Sequence, residues 1–226
     1  SDYHEMMKDP EIDIVSICVP NFLHHAVAMA ACEAGKHVVC EKPLATTMEH
    51  AREMVEAFDK KGLKLMYAED WNFAPALVRA KEIVDEGAIG RILYIRAKES
   101  HNGSHSPFAQ TLDYCGGGAL LHLGCHPASF VRYITGQEVV EVVASITEGF
   151  EKNLVHHGLE GEDFGVALLT LADGTRAVIE GNYVTQGGMD DCVEIYGTEG
   201  VVKVDLTFGS PLSVYSSRGY SYVLEK

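Results

Sequence analysis

Three short segments carry side chains suited to holding a polar oxygen or moving a proton: Pro20-Asn21-Phe22-Leu23-His24, Glu41-Lys42-Pro43, and the glycine-rich run from Gly116 to His126. A lysine ammonium is a compact donor that can polarise a hydroxyl or carbonyl oxygen while hydride moves. Pro43 biases the backbone of Lys42 toward the extended region. The plain alternative is a solvated lysine at a strand end. Asn21 either caps the helix that follows or lines a ligand edge. His122 and His126 are four residues apart, so one helix would place them on one face, a turn from each other. Imidazole titrates near working pH and is a natural general base for a hydroxyl proton. Two alternatives stand beside that role. The pair could ligate a metal with help from His101 and His105, or be hydrogen-bonded structural histidines. No carboxylate or cysteine with recognisable ligand spacing accompanies them, and no metal is assigned.

The elements that must position these segments alternate between two periodicities over the first 90 residues. A β-branched run over 12–20, stopped by Pro20, predicts a buried parallel strand. A helix is expected over 24–34 with Gly35 as its stop, then a strand over 37–43. Thr46 or Thr47 caps a helix running to Lys61 and Gly62, followed by a strand over 63–68 and a helix over 75–86. Strand and helix in alternation with short links imply right-handed parallel crossovers, the doubly wound arrangement, with Lys42 and Asn21 at the carboxyl edge where such sheets bind ligands. The pattern starts in mid-unit, at a short helix over 3–8, and no GxGxxG fingerprint occurs in the 226 residues. The glycine run 116–118 lacks that spacing and a preceding strand.

From residue 91 the pattern changes. A strand over 91–99 and one helix over 118–134 precede strands over 139–148, 163–171, 176–185, 192–196, 201–206 and 212–215, with a last one near Tyr222. Ala172-Asp173-Gly174-Thr175 is a hairpin signal. The expected fold is therefore α/β plus α+β, a partial Rossmann-type parallel sheet over 1–90 and a large, mostly antiparallel open sheet over 91–226. One face of that sheet is left for substrate or a partner subunit.

Thirty-three acidic residues against eighteen basic ones give a net charge of −15, which repels phosphate backbones and anionic lipid. Nucleic acid and membrane partners are not expected. No apolar run approaches eighteen residues, and Ser1-Asp2-Tyr3-His4-Glu5 has no signal-peptide character. The six cysteines form no CxxC pair, and Cys18 and Cys40 lie in apolar runs, as expected of thiols in a reducing cytoplasm.

Val19-Pro20-Asn21-Phe22-Leu23-His24, Cys40-Glu41-Lys42-Pro43-Leu44-Ala45 and the glycine-rich segment ending in His126 together resemble the glucose–fructose oxidoreductase/inositol dehydrogenase (Gfo/Idh/MocA) family, over essentially the whole chain. The resemblance implies an NAD- or NADP-dependent oxidoreductase acting on sugar or cyclitol hydroxyls, assembled as a homodimer or homotetramer. It implies that Lys42 binds the reacting oxygen beside the nicotinamide and that His126 is the acid/base. His122 stands where many members have aspartate, a departure that rearranges the proton relay. Pro20, Asn21, His24, Glu41, Pro43 and Trp71 match positions at the cofactor edge, with Asn72 beside Trp71. His101, Asn102 and Tyr183 are weaker candidates for hydroxyl recognition. The family pattern also implies that a first βαβ unit and a C-terminal helix lie outside these residues. A glycosidase using tightly held NAD, and a non-catalytic oligomerisation or sensor domain, remain alternatives.

Overall fold

A computed structural model describes residues 2–104, 106–207, 212–218 and 223–225. His105 and Tyr222, on which the sequence reading drew, lie outside the described residues. The chain divides into two compact units, Ser1–Glu69 with His105–Gly117, and Asp70–Ser104 with Gly118–Lys226.

The first unit opens on helix α1 (Tyr3–Met7), whose first turn is closed by the Asp2 carboxylate accepting from the His4 N–H at 2.9 Å. Strand β1 (Ile14–Ile17), helix α2 (His24–Glu33), strand β2 (His37–Glu41), helix α3 (Met48–Lys61) and strand β3 (Leu65–Ala68) follow in the expected alternation. The sheet is parallel in the order β1-β2-β3, with Val15 opposite Val38 and Val38 opposite Leu65. Thr47, rather than Thr46, caps α3 by accepting from the His50 N–H, and Gly62 ends it in the left-handed region at φ 65°. Val15, Ile17, Val38 and Cys40 of the strands bury against Val27, Ala28 and Ala31 of α2 and against Met54 and Phe58 of α3. The small side chains of α2 let it lie close to the sheet.

The second unit is built on helix α4 (Pro75–Asp85) and strand β4 (Ile92–Ser100). Helix α5 (Leu112–Cys115) intervenes in the chain but belongs to the first unit. Helices α6 (Ala119–His122) and α7 (Cys125–Thr135) lead into strands β5 (Val139–Ile146), β6 (Phe164–Leu171), β7 (Arg176–Asn182), β8 (Cys192–Gly197), β9 (Gly200–Asp205), β10 (Leu212–Ser216) and β11 (Val223–Glu225). Among the described residues these form an eight-stranded sheet in the order β11-β10-β9-β8-β4-β7-β6-β5. Only β4 and β7 pair in parallel; the other neighbours are antiparallel. The period-2 alternation buries Ile95, Ala97, Ala167, Leu169, Ala177, Ile179, Val193, Ile195, Val202 and Val204 on one face, against Leu77, Ala80 and Ile83 of α4 and Phe130, Val131 and Ile134 of α7. Each large apolar side chain so buried contributes about 1.5–3 kcal/mol. The opposite face carries Arg96, Glu194 and Lys203, joined by ion pairs of 3.1 and 2.6 Å at Glu194.

Strands expected over 12–20, 37–43, 63–68 and 139–148 are shorter, Ile14–Ile17, His37–Glu41, Leu65–Ala68 and Val139–Ile146, and three further differences concern the second unit. Residues 70–90 lie with the second unit, because the apolar stripe of α4 has its core partners on the eight-stranded sheet. The helix expected over 118–134 is broken at Leu123 and Gly124 into α6 and α7. The break lies against bare backbone of β7: a Cβ added at Gly181 would lie 2.6 Å from the Gly124 nitrogen. Strand β7 stops at Asn182, three residues early, although the Tyr183 N–H still donates to the Asp163 carbonyl at 2.7 Å, in register with the β6–β7 ladder.

Candidate active site

In the first unit, Lys42 follows β2 directly, is half-buried, and its backbone N–H donates to Glu41 Oε2 at 3.2 Å. The Lys42–Pro43 peptide bond is cis. His24, at the start of α2, is only 1% exposed and lies beneath the loops rather than facing a ligand. Its Nδ1 is 2.8 Å from the Pro43 carbonyl oxygen and its Nε2 2.9 Å from that of Val19, so one ring ties together the loops that follow β1 and β2. Pro20 precedes a 3-10 turn, Asn21–Leu23, and Asn21 caps no helix. The Asn21 amide instead donates to the Cys115 carbonyl at 3.0 Å, holding segment 106–117 against the loop after β1. Phe22 and Tyr114 meet alongside, ring centroids 4.9 Å apart. Behind Lys42, burial, with Glu41 and Cys18 nearby, pushes the Cys40 thiol up to about 12, leaving it un-ionised at neutral pH.

In the second unit His126, on the first turn of α7, is 3% exposed. Its Nδ1 lies 3.3 Å from Asp70 Oδ1, and its Nε2 lies 3.6 Å from Glu99 Oε2, too long for a hydrogen bond but close enough for charge to act. Trp71, buried, stacks on the imidazole at 5.9 Å between centroids and 21° between planes. The Asn72 amide donates to the Ser129 hydroxyl at 3.0 Å, which fixes the turn carrying Asp70 and Trp71 to α7. His122 turns elsewhere: its Nδ1 is 2.9 Å from the Tyr183 hydroxyl. The shared face inferred from the i,i+4 spacing is therefore lost at the α6–α7 break. Tyr183 is 2% exposed, with His101 and His156 against its ring at 5.2 and 6.1 Å. Asn102 is exposed and accepts from the Gln186 amide at 3.1 Å.

Behind Tyr183 sits Asp163, fully buried. Burial pushes its carboxyl up, but the backbone N–H groups of His156, Leu154 and Val155 and the Thr147 hydroxyl outweigh that cost and hold it below the usual carboxylate range.

Lys42, Glu41, Pro43, Pro20, Asn21 and His24 thus belong to the first unit, and His122, His126, Trp71, Asn102 and Tyr183 to the second. Sequence reasoning missed Asp70, Glu99, His156 and Asp163. Asp70 adjoins Trp71, a position already singled out, and Glu99 ends a strand that was expected; those were the available signals.

Residues 1–69 match the oxidoreductase family model with an NAD-binding Rossmann fold, and residues 77–203 match the GFO/IDH/MocA C-terminal domain. The chain is 33% identical over 233 residues to the levoglucosan dehydrogenase of Pseudarthrobacter phenanthrenivorans, covering 89% of this chain and 57% of that one. It is 30% identical over 207 residues to the myo-inositol 2-dehydrogenase of Thermotoga maritima, covering 90% and 60%. A solved structure of levoglucosan dehydrogenase in complex with NADH and L-sorbose superposes with a TM-score of 0.90 at 29% identity, covering all of this chain and 64% of that one. The chain spans about three-fifths of the length of these curated relatives. With both parts matched in order and a relative 33% identical over nearly all of it, the chain belongs to the Gfo/Idh/MocA oxidoreductase family.

Proposed function

We propose that the protein is an NAD(P)-dependent oxidoreductase that moves hydride between the carbinol carbon of a sugar or cyclitol and nicotinamide. The observation that carries this is His126, buried with the Asp70 carboxylate on one ring nitrogen, the Glu99 carboxylate near the other and Trp71 across its face. Lys42 donates to the reacting oxygen and polarises its C–O bond. His126 takes the proton of that hydroxyl during oxidation and returns it during reduction. Asp70 and Glu99 orient the ring and compensate the positive charge it gains, the part an aspartate at position 122 would otherwise play.

The first unit fits the nicotinamide end of a dinucleotide. Two polar loops leave the carboxyl edge of adjacent parallel strands, and His24 locks their carbonyls together beneath Lys42. Bound nicotinamide supplies the hydride acceptor or donor. With no GxGxxG in the 226 residues, none of them is assigned to the pyrophosphate. A cytoplasmic location is supported by six cysteines that form no disulfide among the described residues. Assembly as a homodimer or homotetramer is supported by the outer face of the eight-stranded sheet, which no helix of this unit covers among the described residues. Among the described residues no helix is long and apolar enough to cross a membrane.

The test is calorimetric titration of the 226-residue chain, and of a form extended at its N-terminus to the length of its relatives, with NADH and NADPH. Binding by the extended form identifies the cofactor, and a screen of neutral polyols then identifies the substrate. Lys42→Ala in that form should lower kcat by about a hundredfold or more with cofactor affinity little changed. Absence of binding by either form overturns the hydride-transfer reading, and wild-type turnover by Lys42→Ala overturns the role of Lys42.

A further inference from the structure

Tyr183 is held more firmly than a residue just past a strand end requires. Its N–H donates to the Asp163 carbonyl at 2.7 Å, and its own carbonyl lies 2.9 Å from His156 Nε2. A carbonyl only accepts, so Nε2 of His156 carries the proton. His156 is delivered by the connection between β5 and β6, which is itself built from inside. The Asp163 carboxylate accepts from the N–H groups of Leu154, Val155 and His156 at 3.0, 2.7 and 3.1 Å and from the Thr147 hydroxyl at 3.0 Å. The Asn153 amide, 4% exposed, donates to the carbonyls of His156, Leu159 and Gly161 at 3.1, 3.2 and 2.9 Å. A buried carboxylate with four donors and a buried amide with three acceptors are costly to assemble unless satisfied, and once satisfied they rigidify what they hold. What they hold is the phenol of Tyr183, 2.9 Å from Nδ1 of half-buried His122.

We propose that this arrangement clamps the tautomer of His122: the Tyr183 hydroxyl donates to Nδ1, so the single ring proton sits on Nε2 and His122 meets the substrate as a hydrogen-bond donor rather than as a base. A phenol O–H is a better donor than acceptor, and an unprotonated imidazole nitrogen accepts better than a phenol oxygen. Asp163, Asn153 and His156 are positioning residues that act through Tyr183. The inference rests on the reading of His122 as part of the reacting site. It deepens that reading by giving His122 the opposite polarity to an aspartate. A carboxylate there would accept from a substrate hydroxyl, whereas His122 donates to an oxygen lone pair, on a carbonyl, an ether or a hydroxyl. The proton of the reacting hydroxyl then leaves through His126 alone.

The test is long-range nitrogen–proton NMR of the histidine rings in the full 226-residue chain. His122 should show an unprotonated Nδ1 and a protonated Nε2. Tyr183→Phe, which removes one oxygen from an otherwise unchanged core, should convert His122 to a mixture of tautomers. His156→Ala should do the same, and His156→Gln, whose amide N–H can still reach the Tyr183 carbonyl, should restore the wild-type pattern. A protonated Nδ1 in the wild type overturns the clamp, and that spectrum decides even if a variant fails to fold. An unchanged His122 pattern in folded Tyr183→Phe and His156→Ala overturns the positioning claim. In a form that turns over, both variants should lower kcat about tenfold or more with cofactor affinity unchanged. A complete lack of turnover in every form would sink the proposed reaction and leave the tautomer result standing on its own.

Discussion

His24 Nδ1 lies 2.8 Å from the carbonyl oxygen of Pro43, the residue after Lys42, and the other nitrogen of the same buried ring reaches the Val19 carbonyl. One side chain therefore bridges two loop carbonyls, donating to one of them as the neutral ring and to both as the imidazolium, and links the loops that present Asn21 and Lys42. Removing it takes the donor from at least one of these carbonyls and leaves a small cavity between them. His24→Ala should cost about 2–3 kcal/mol of stability, read by urea unfolding, and His24→Gln, which keeps one donor, about half of that. An alanine variant as stable as wild type would mean that neither carbonyl depends on the ring.

The first unit was legible because its signals are local. The β-branched runs, the Thr47 cap and the Gly62 stop each depend on neighbours within a few residues, and the strands and helices fall where periodicity put them. Lys42 and His126 were legible as residue types at characteristic spacings. Asp70 and Glu99 were not. They reach His126 from the turn before α4 and from the end of β4, and the neighbouring Trp71 and the expected strand end were only indirect signals of that meeting. The helix break at Leu123 and Gly124 was hidden for a similar reason. It lies against the bare backbone of Gly181, some sixty residues away in the chain, and a glycine inside a strand pattern signals close approach without naming what approaches. Asn21 shows the same limit, since its type left a cap and a ligand edge both open and did not point to the Cys115 carbonyl, to which its amide donates.

Asp163 makes stability depend on pH. Its carboxyl is held below the usual range in the folded protein, so it contributes stability that is fully present above the unfolded value of about 4 and is lost as pH falls through the lower folded value. Asp163→Asn replaces one acceptor oxygen by a donor facing backbone N–H groups. At pH 7 the variant should be about 2–4 kcal/mol less stable than wild type, and the gap should narrow as pH drops below about 4. Urea unfolding of both proteins across that range measures it. A gap independent of pH would show that the loss comes from shape rather than from the carboxylate charge.

Gly181 gives a direct handle on the spacing of the two histidines. A Cβ added there would lie 2.6 Å from the Gly124 nitrogen and 3.0 Å from the Ala119 carbonyl oxygen, both backbone atoms that cannot rotate aside. Gly181→Ala must therefore push the junction between α6 and α7 away from β7, and His122 and His126 ride on the two sides of that junction. The expected cost is about 1–3 kcal/mol, with the NMR signals of both histidine rings displaced. Gly158→Ala is the matching control, because a Cβ there meets nothing within 4 Å. If the two variants melted at the same temperature with unchanged histidine signals, β7 would not be the support that sets where α6 ends and α7 begins.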